Sequence, residues 1–230
     1  MAGFFGLPGA RRMFNRTTLL ILIVALATAA GLVAAEFAFR PKTPAGPALQ
    51  TVRLLDTPRT LPPFTLQQTD HTQLQAGELR GHWTLVFIGF TFCPDVCPTA
   101  LGELAQAQKR WETLPETTRP RVLFVSVDPE RDALDRLGEY AHGFHKDTLA
   151  ATADIPTLEN FTRSLSLVFA KVPLGDGAPA DQYTIDHSAS VVLLDPQGRM
   201  AGIIQPPLKP KAIAEDLIAL TAAAPAKAGG

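Results

Sequence analysis

The sequence predicts an α/β protein in which a central mixed sheet is flanked by helices and preceded by one N-terminal transmembrane helix. Three observations predict it. Residues 84–90, TLVFIGF, form a continuous apolar run, as does much of RVLFVSV at 121–127, and such runs read as strands buried on both faces. Stretches with helical spacing of apolar residues separate these runs along the chain. Near the start, residues 17–35 contain no charge.

That first segment approaches the roughly 20 residues a helix needs to span a bilayer. Arg11, Arg12 and Arg16 precede it, and positive charge on that flank keeps it in the cytoplasm. The expected division is a cytoplasmic N-terminus at 1–16, a transmembrane anchor at 17–36, a linker at 37–50, a folded domain at 51–223 and a tail at 224–230. A cleaved signal peptide competes with the anchor, because Ala25-Leu26-Ala27 and Ala27-Thr28-Ala29 have the form of cleavage sites. The apolar run continues well past them, which favours the anchor. No cysteine lies directly after the segment, so a lipidated anchor is not expected. Either reading exports the remainder to an oxidising compartment. The placement expected is the inner (cytoplasmic) membrane, single-pass, with the soluble domain on the periplasmic side.

The elements of the domain follow in order. Residues 64–75 alternate in polarity around Thr69-Asp70-His71 and predict a hairpin. The strand at 84–90 leads to a helix at 98–114, and the strand at 121–127 to a helix at 129–144 opened by Asp128-Pro129 as cap and first turn. Residues 157–165 are helical, 188–195 and 199–204 form a hairpin about Pro196-Gln197-Gly198, and 209–223 form a closing helix. A β-α-β unit followed by a β-β-α unit is the thioredoxin-like arrangement. With 230 residues and 46% apolar content the chain suits one ordinary domain plus extras, and its net charge of −1 gives no reason to expect nucleic acid as a partner.

A domain of about 170 residues buries close to 70% of its unfolded surface and needs no disulfide to fold. Both cysteines, Cys93 and Cys97, nevertheless lie in one short stretch, FTFCPDVCPTALGEL. They fall just past the end of a central strand and at the start of a helix. Ligands gather at that end of α/β sheets, and a helix N-terminus favours thiolate. Positions i and i+4 share a helix face, so this CxxxC pair can grip one ion, and soft thiolates select Cu(I) or Zn. A plain disulfide and a metal-free redox dithiol remain open. Of the five histidines, His71 is expected at a turn tip, His82 on the surface before the central strand, and His142 and His145 at a helix end. His187, in DQYTIDHSASVVLLD, comes immediately before an apolar strand, in the loop that crosses beside the cysteines in the thioredoxin-like arrangement.

FTFCPDVCPTALGEL, VSVDPERD and DHSASVVLLDPQGR, in that order, resemble the three signature blocks of the Sco/SenC family, and the N-terminal anchor and linker are similar too. The resemblance covers most of the chain after the linker. It implies a membrane-tethered, thioredoxin-like copper chaperone that serves the dinuclear copper centre of cytochrome c oxidase. It implies Cys93, Cys97 and His187 as copper ligands and Asp128 near the site, behind them. The implied partners are the oxidase subunit that carries the copper centre, a copper donor, a thiol reductant in the same compartment, and the membrane. The implied metal is copper as Cu(I) or Cu(II). A thiol-disulfide oxidoreductase that reduces the oxidase's own cysteines is the first rival, and a copper or redox sensor or a peroxidase the others. His187 discriminates between the first two, since a pure reductase has no use for it.

Overall fold

The computed structural model describes residues 15–39 and 47–223. The expected basic segment with Arg11 and Arg12, the middle of the linker and the tail at 224–230 lie outside the described residues. The chain divides into two units, Met1–Ala45 and Gly46–Gly230.

The first unit holds α1 (Arg16–Phe39), whose window Arg16–Ala35 has mean hydropathy 2.5. It is long and apolar enough to cross a membrane. Leu20, Ile21 and Leu26 point outward from different sides, so the helix has no polar face to turn to water.

In the second unit the order is β1 (Arg53–Arg59), β2 (Leu66–Gln68), β3 (Gln73–Leu74), β4 (Thr84–Gly89), α2 (Val96–Trp111), β5 (Arg121–Ser126), α3 (Leu134–Phe144), β6 (Thr148–Thr152), α4 (Ile155–Ser164), β7 (Phe169–Pro173), β8 (Tyr183–His187), β9 (Val191–Leu194), β10 (Met200–Ile204) and α5 (Pro210–Ala223). Eight strands form one sheet in the order β1-β10-β9-β4-β5-β6-β2-β3, and β7 and β8 make a separate ribbon. β4, β5 and β6 are parallel, while β9 joins β4 antiparallel. This is the mixed sheet the sequence predicts. β4 is buried at every position, as its unbroken apolar run requires. α2 packs against α5, and α3 against β6. Asp216 of α5 accepts from the backbone N–H groups of Gln50, Thr51 and Val52 and from the Thr51 hydroxyl, tying down the start of the domain.

The structure corrects several expectations. α3 starts at Leu134 rather than 129, and Asp128 is not its cap. Residues after Asp128 form a turn in which Arg131 and Asp132 both donate N–H to the Asp128 carbonyl, and the Asp128 carboxylate is already engaged by Arg131 and Tyr183. His82 is buried, not on the surface, because its Nδ1 bonds the Arg119 carbonyl at 2.9 Å. His187 is the last residue of a strand, β8, not part of a loop. The strands β1, β6, β7 and β8 were not expected.

Candidate metal centre

β4 ends at Gly89, and four residues on the chain reaches Cys93 before turning into α2. Asp95 stands at the N-cap of α2 but makes no side-chain cap bond. The Cys93 sulfur serves instead, accepting the Cys97 backbone N–H at 3.4 Å. That contact fixes the CxxxC geometry, with the first sulfur lying over the turn that carries the second. Both cysteines are free; Cys97 is buried and Cys93 partly so.

The backbone at Gly89 makes room for the second sulfur. A Cβ there would lie 2.5 Å from Cys97 Sγ and 3.0 Å from Phe124 Cε2. Only a residue without Cβ lets the thiol lie directly against β4, close to the Phe124 ring.

β8 delivers the third group. His187 Nε2 lies 3.3 Å from Cys97 Sγ, although ninety residues separate the two in sequence. Nδ1 donates to the Ser188 carbonyl at 3.1 Å. The proton is therefore on Nδ1, and the Nε2 lone pair faces the sulfurs, which is the tautomer a metal ligand needs. The ring packs edge-on against Phe87 and Phe90. Burial lowers the imidazole's pKa against the opposing pull of the Ser188 carbonyl and Asp186, so the ring is held neutral.

Cys97 departs from expectation. Burial pushes its thiol well above the ordinary cysteine range, outweighing the opposing backbone hydrogen bond from Phe90. The metal-free site thus holds this sulfur as a thiol, and a metal must displace its proton.

Cys93, Cys97 and His187 present three donor atoms within 4.8 Å of one another. Two sulfurs and one imidazole nitrogen suit a soft ion, Cu(I) above all, and leave a coordination position open. Glu112, His145 and Asp147 form a second such group among the described residues, at the far end of α2. There His145 Nδ1 accepts the Asp147 backbone N–H at 3.2 Å, so its proton is on Nε2, pointing at Glu112 Oε1 3.1 Å away. That is the wrong tautomer for a ligand, and the group reads as a hydrogen-bonded tie between the C-terminal ends of α2 and α3.

Asp128 is buried but touches none of the three candidate ligands. Its Oδ1 accepts from the Tyr183 hydroxyl at 2.7 Å and its Oδ2 from Arg131 Nε at 2.5 Å. Tyr183 opens β8, so Asp128 steadies the strand that ends in His187. The Arg131 guanidinium stacks on the Tyr183 ring at 3.7 Å and reaches over Phe92 at 5.1 Å. Sequence reasoning missed Gly89, Thr91, Ser126 and Asp132. The last closes the VSVDPERD block and accepts three hydrogen bonds around the cysteine loop.

The model of the SCO1/SenC family matches residues 53–222. A putative copper-binding protein of Stutzerimonas stutzeri is 30% identical over 160 residues, covering 69% of this chain and 75% of that one. Protein SCO2 homolog, mitochondrial, of Bos taurus is 34% identical over 121 residues, covering 53% of this chain but only 44% of the relative. The chain thus spans less than half the length of that mitochondrial relative. Among solved structures, Bradyrhizobium japonicum ScoI with copper bound is similar at TM-score 0.61 and 31% identity, covering 69% of this chain and 98% of that one. Yeast Sco1 with copper bound is similar at TM-score 0.62 and 25% identity, covering 70% and 87%.

Proposed function

The chain belongs to the SCO1/SenC family, and on that premise we propose that it is a membrane-anchored copper chaperone, delivering copper to the dinuclear copper centre of cytochrome c oxidase during assembly. The observation that carries this reading is the tautomer of His187, whose Nε2 lone pair is turned toward Cys97 Sγ at 3.3 Å. A dithiol used only for electron exchange needs no such nitrogen. Two relatives with copper in their structures or names, from Bradyrhizobium japonicum and Stutzerimonas stutzeri, support the choice of metal.

Copper is the cargo. Loading Cu(I) sends the protons of Cys93 and Cys97 to solvent as two copper–sulfur bonds form, and His187 adds its lone pair without losing a proton. The open position then lets an acceptor's thiolate or imidazole bind before the chaperone's ligands let go. If the two cysteines instead lose two electrons and two protons to an oxidant, they close into a disulfide and copper binding ends, so loading requires a reductant in the same compartment. The adjacency of two free thiols favours a second reading, a thiol-disulfide oxidoreductase acting on the oxidase's cysteines. On that reading the electron pair passes to the partner's disulfide and copper comes from elsewhere.

The reduced protein is expected to bind about one copper through two sulfurs and one nitrogen. X-ray absorption of the Cu(I) form checks this; a spectrum with only nitrogen or oxygen scatterers contradicts it. The domain is expected on the periplasmic side of the inner membrane. The full chain should therefore stay with membranes through a carbonate wash, and a reporter fused after Gly230 should be active only outside the cytoplasm. Release into the soluble fraction with a new N-terminus near Ala29 would instead show cleavage.

A further inference from the structure

His187 arrives on an element that the main sheet does not hold. β7 and β8 pair with each other, from Phe169 opposite His187 at one end to Pro173 opposite Tyr183 at the other. A two-stranded ribbon alone is marginally stable in water, so contacts with the domain must fix it. Tyr183, Ile185 and His187 share one face of β8, and Tyr183 and Ile185 are buried there. Apolar burial holds the ribbon down, but it is non-directional and does not by itself fix a position along the strand. Among the described residues, the side-chain hydrogen bonds that join the ribbon to the rest of the domain run to Asp128, Glu130 and Arg131, those of His187 apart. Arg131 Nη1 donates to the Tyr183 carbonyl at 3.0 Å, and its guanidinium lies 3.7 Å from the Tyr183 ring centroid. Nε is fixed on the buried Asp128 carboxylate. The same guanidinium lies 5.1 Å from the ring of Phe92, the residue before Cys93, and 5.6 Å from that of Phe90, which packs on the His187 ring. One side chain thus meets both the strand that delivers the nitrogen and the loop that delivers the first sulfur.

We propose that Arg131 is a positioning residue for copper: by clamping the β7–β8 ribbon and the cysteine loop on one guanidinium, it sets the gap between His187 Nε2 and the sulfurs. The inference rests on the copper reading above. Tyr183 and His187 are the two ends of β8, so a slip at the clamp is carried along the strand to the imidazole. A ligand set works only within about 0.5 Å of its productive geometry, and a small slip takes Nε2 away from an ion held by the sulfurs. The sulfurs keep their own arrangement, because the Cys97 N–H bonds Cys93 Sγ within the same turn. Arginine suits the task through its plane. It can pair with a carboxylate, donate to a carbonyl and stack on a ring at once, whereas lysine supplies the charge without the fork or the flat face.

The test uses the full chain in detergent, reduced, with a chromogenic Cu(I) chelator as competitor. Arg131→Lys keeps a cation beside Asp128 and is expected to bind copper about tenfold more weakly than the wild type. X-ray absorption of its copper form should retain the two sulfur scatterers and lose the nitrogen. Without copper, amide hydrogen exchange should quicken in β8 and stay unchanged in β9. The same change is then made in a His187→Ala background. If Arg131 acts through His187, it should cost no further copper affinity there. An equal loss in both backgrounds means general support of the domain and overturns the proposal, as does wild-type affinity in Arg131→Lys. If Arg131→Lys does not fold, Tyr183→Leu carries the test, since it removes the ring on which the guanidinium stacks. It is expected to show the same loss of nitrogen with both sulfurs kept, and wild-type copper binding overturns the proposal. A wild type that binds no copper at all overturns the copper reading and this inference together.

Discussion

His187→Ala is expected to lose copper while Cys93 and Cys97 continue to form and break their disulfide. The imidazole is the one donor that arrives from outside the cysteine segment, and its Nε2 is oriented by the Nδ1 bond to the Ser188 carbonyl. Changing residues that merely orient ligands costs about 10–100-fold in metal affinity, so removing the ligand itself should cost about 100-fold or more. Disulfide exchange depends on thiolate fraction, nucleophilicity and access to the sulfurs. Because burial holds His187 neutral, there is little imidazolium charge to lose, and exchange rates should shift only modestly. The ring also packs on Phe87 and Phe90, so the variant should lose about 1–2 kcal/mol of stability through the cavity. A thermal melt keeps that cost apart from the change in affinity. In cells rescued to equal protein levels, oxidase copper content is the readout. A fully metallated oxidase at normal copper would end the chaperone reading in favour of the reductase.

Gly89→Ala should be nearly as damaging, although the change adds only a methyl group. The new Cβ would stand 2.5 Å from Cys97 Sγ and 3.0 Å from the Phe124 ring. β4 cannot retreat, because it is hydrogen-bonded to β5 on one side and β9 on the other. The sulfur must therefore move, and it leaves the position 3.3 Å from His187 Nε2. Overpacking of this kind costs about 1–3 kcal/mol, and copper affinity should fall with it. A double-mutant cycle with Cys97→Ala identifies the clash. With the sulfur gone the closer of the two contacts is relieved, and the stability cost of Gly89→Ala should shrink by more than about 1 kcal/mol. An undiminished cost would place the strain at Phe124 instead.

Local signals made much of this legible. Thr84 to Gly89 announce themselves by an unbroken apolar run, and the two cysteines by their spacing after it. The missed strands had weaker patterns. β6 is TLAAT, too small and too short to stand out; β1 contains Pro58; β7 and β8 pair only with each other, so their outer positions are exposed. Asp128-Pro129 carries a sound helix-start signal, yet Tyr183, fifty-five residues away, and Arg131 take the carboxylate. The tautomer of His187 is set by the adjacent Ser188 carbonyl, through the backbone conformation at the end of β8, and only the finished fold brings the Cys97 sulfur to face its Nε2. Gly89 reads as an ordinary strand residue until the sulfur it accommodates is in place.

The separation of ninety residues between Cys97 and His187 has a consequence for the life of the protein. An ion held by both ends closes that stretch of chain into a ring, as a covalent cross-link would, but one that a ligand exchange can undo. In the unfolded chain the ring is open and the third donor is lost, so affinity for the metal becomes resistance to unfolding. A loaded chain should withstand proteases and heat better than one that has discharged its cargo. On the chaperone reading proposed above, emptied carriers would be the first to unfold and so the first exposed to proteases.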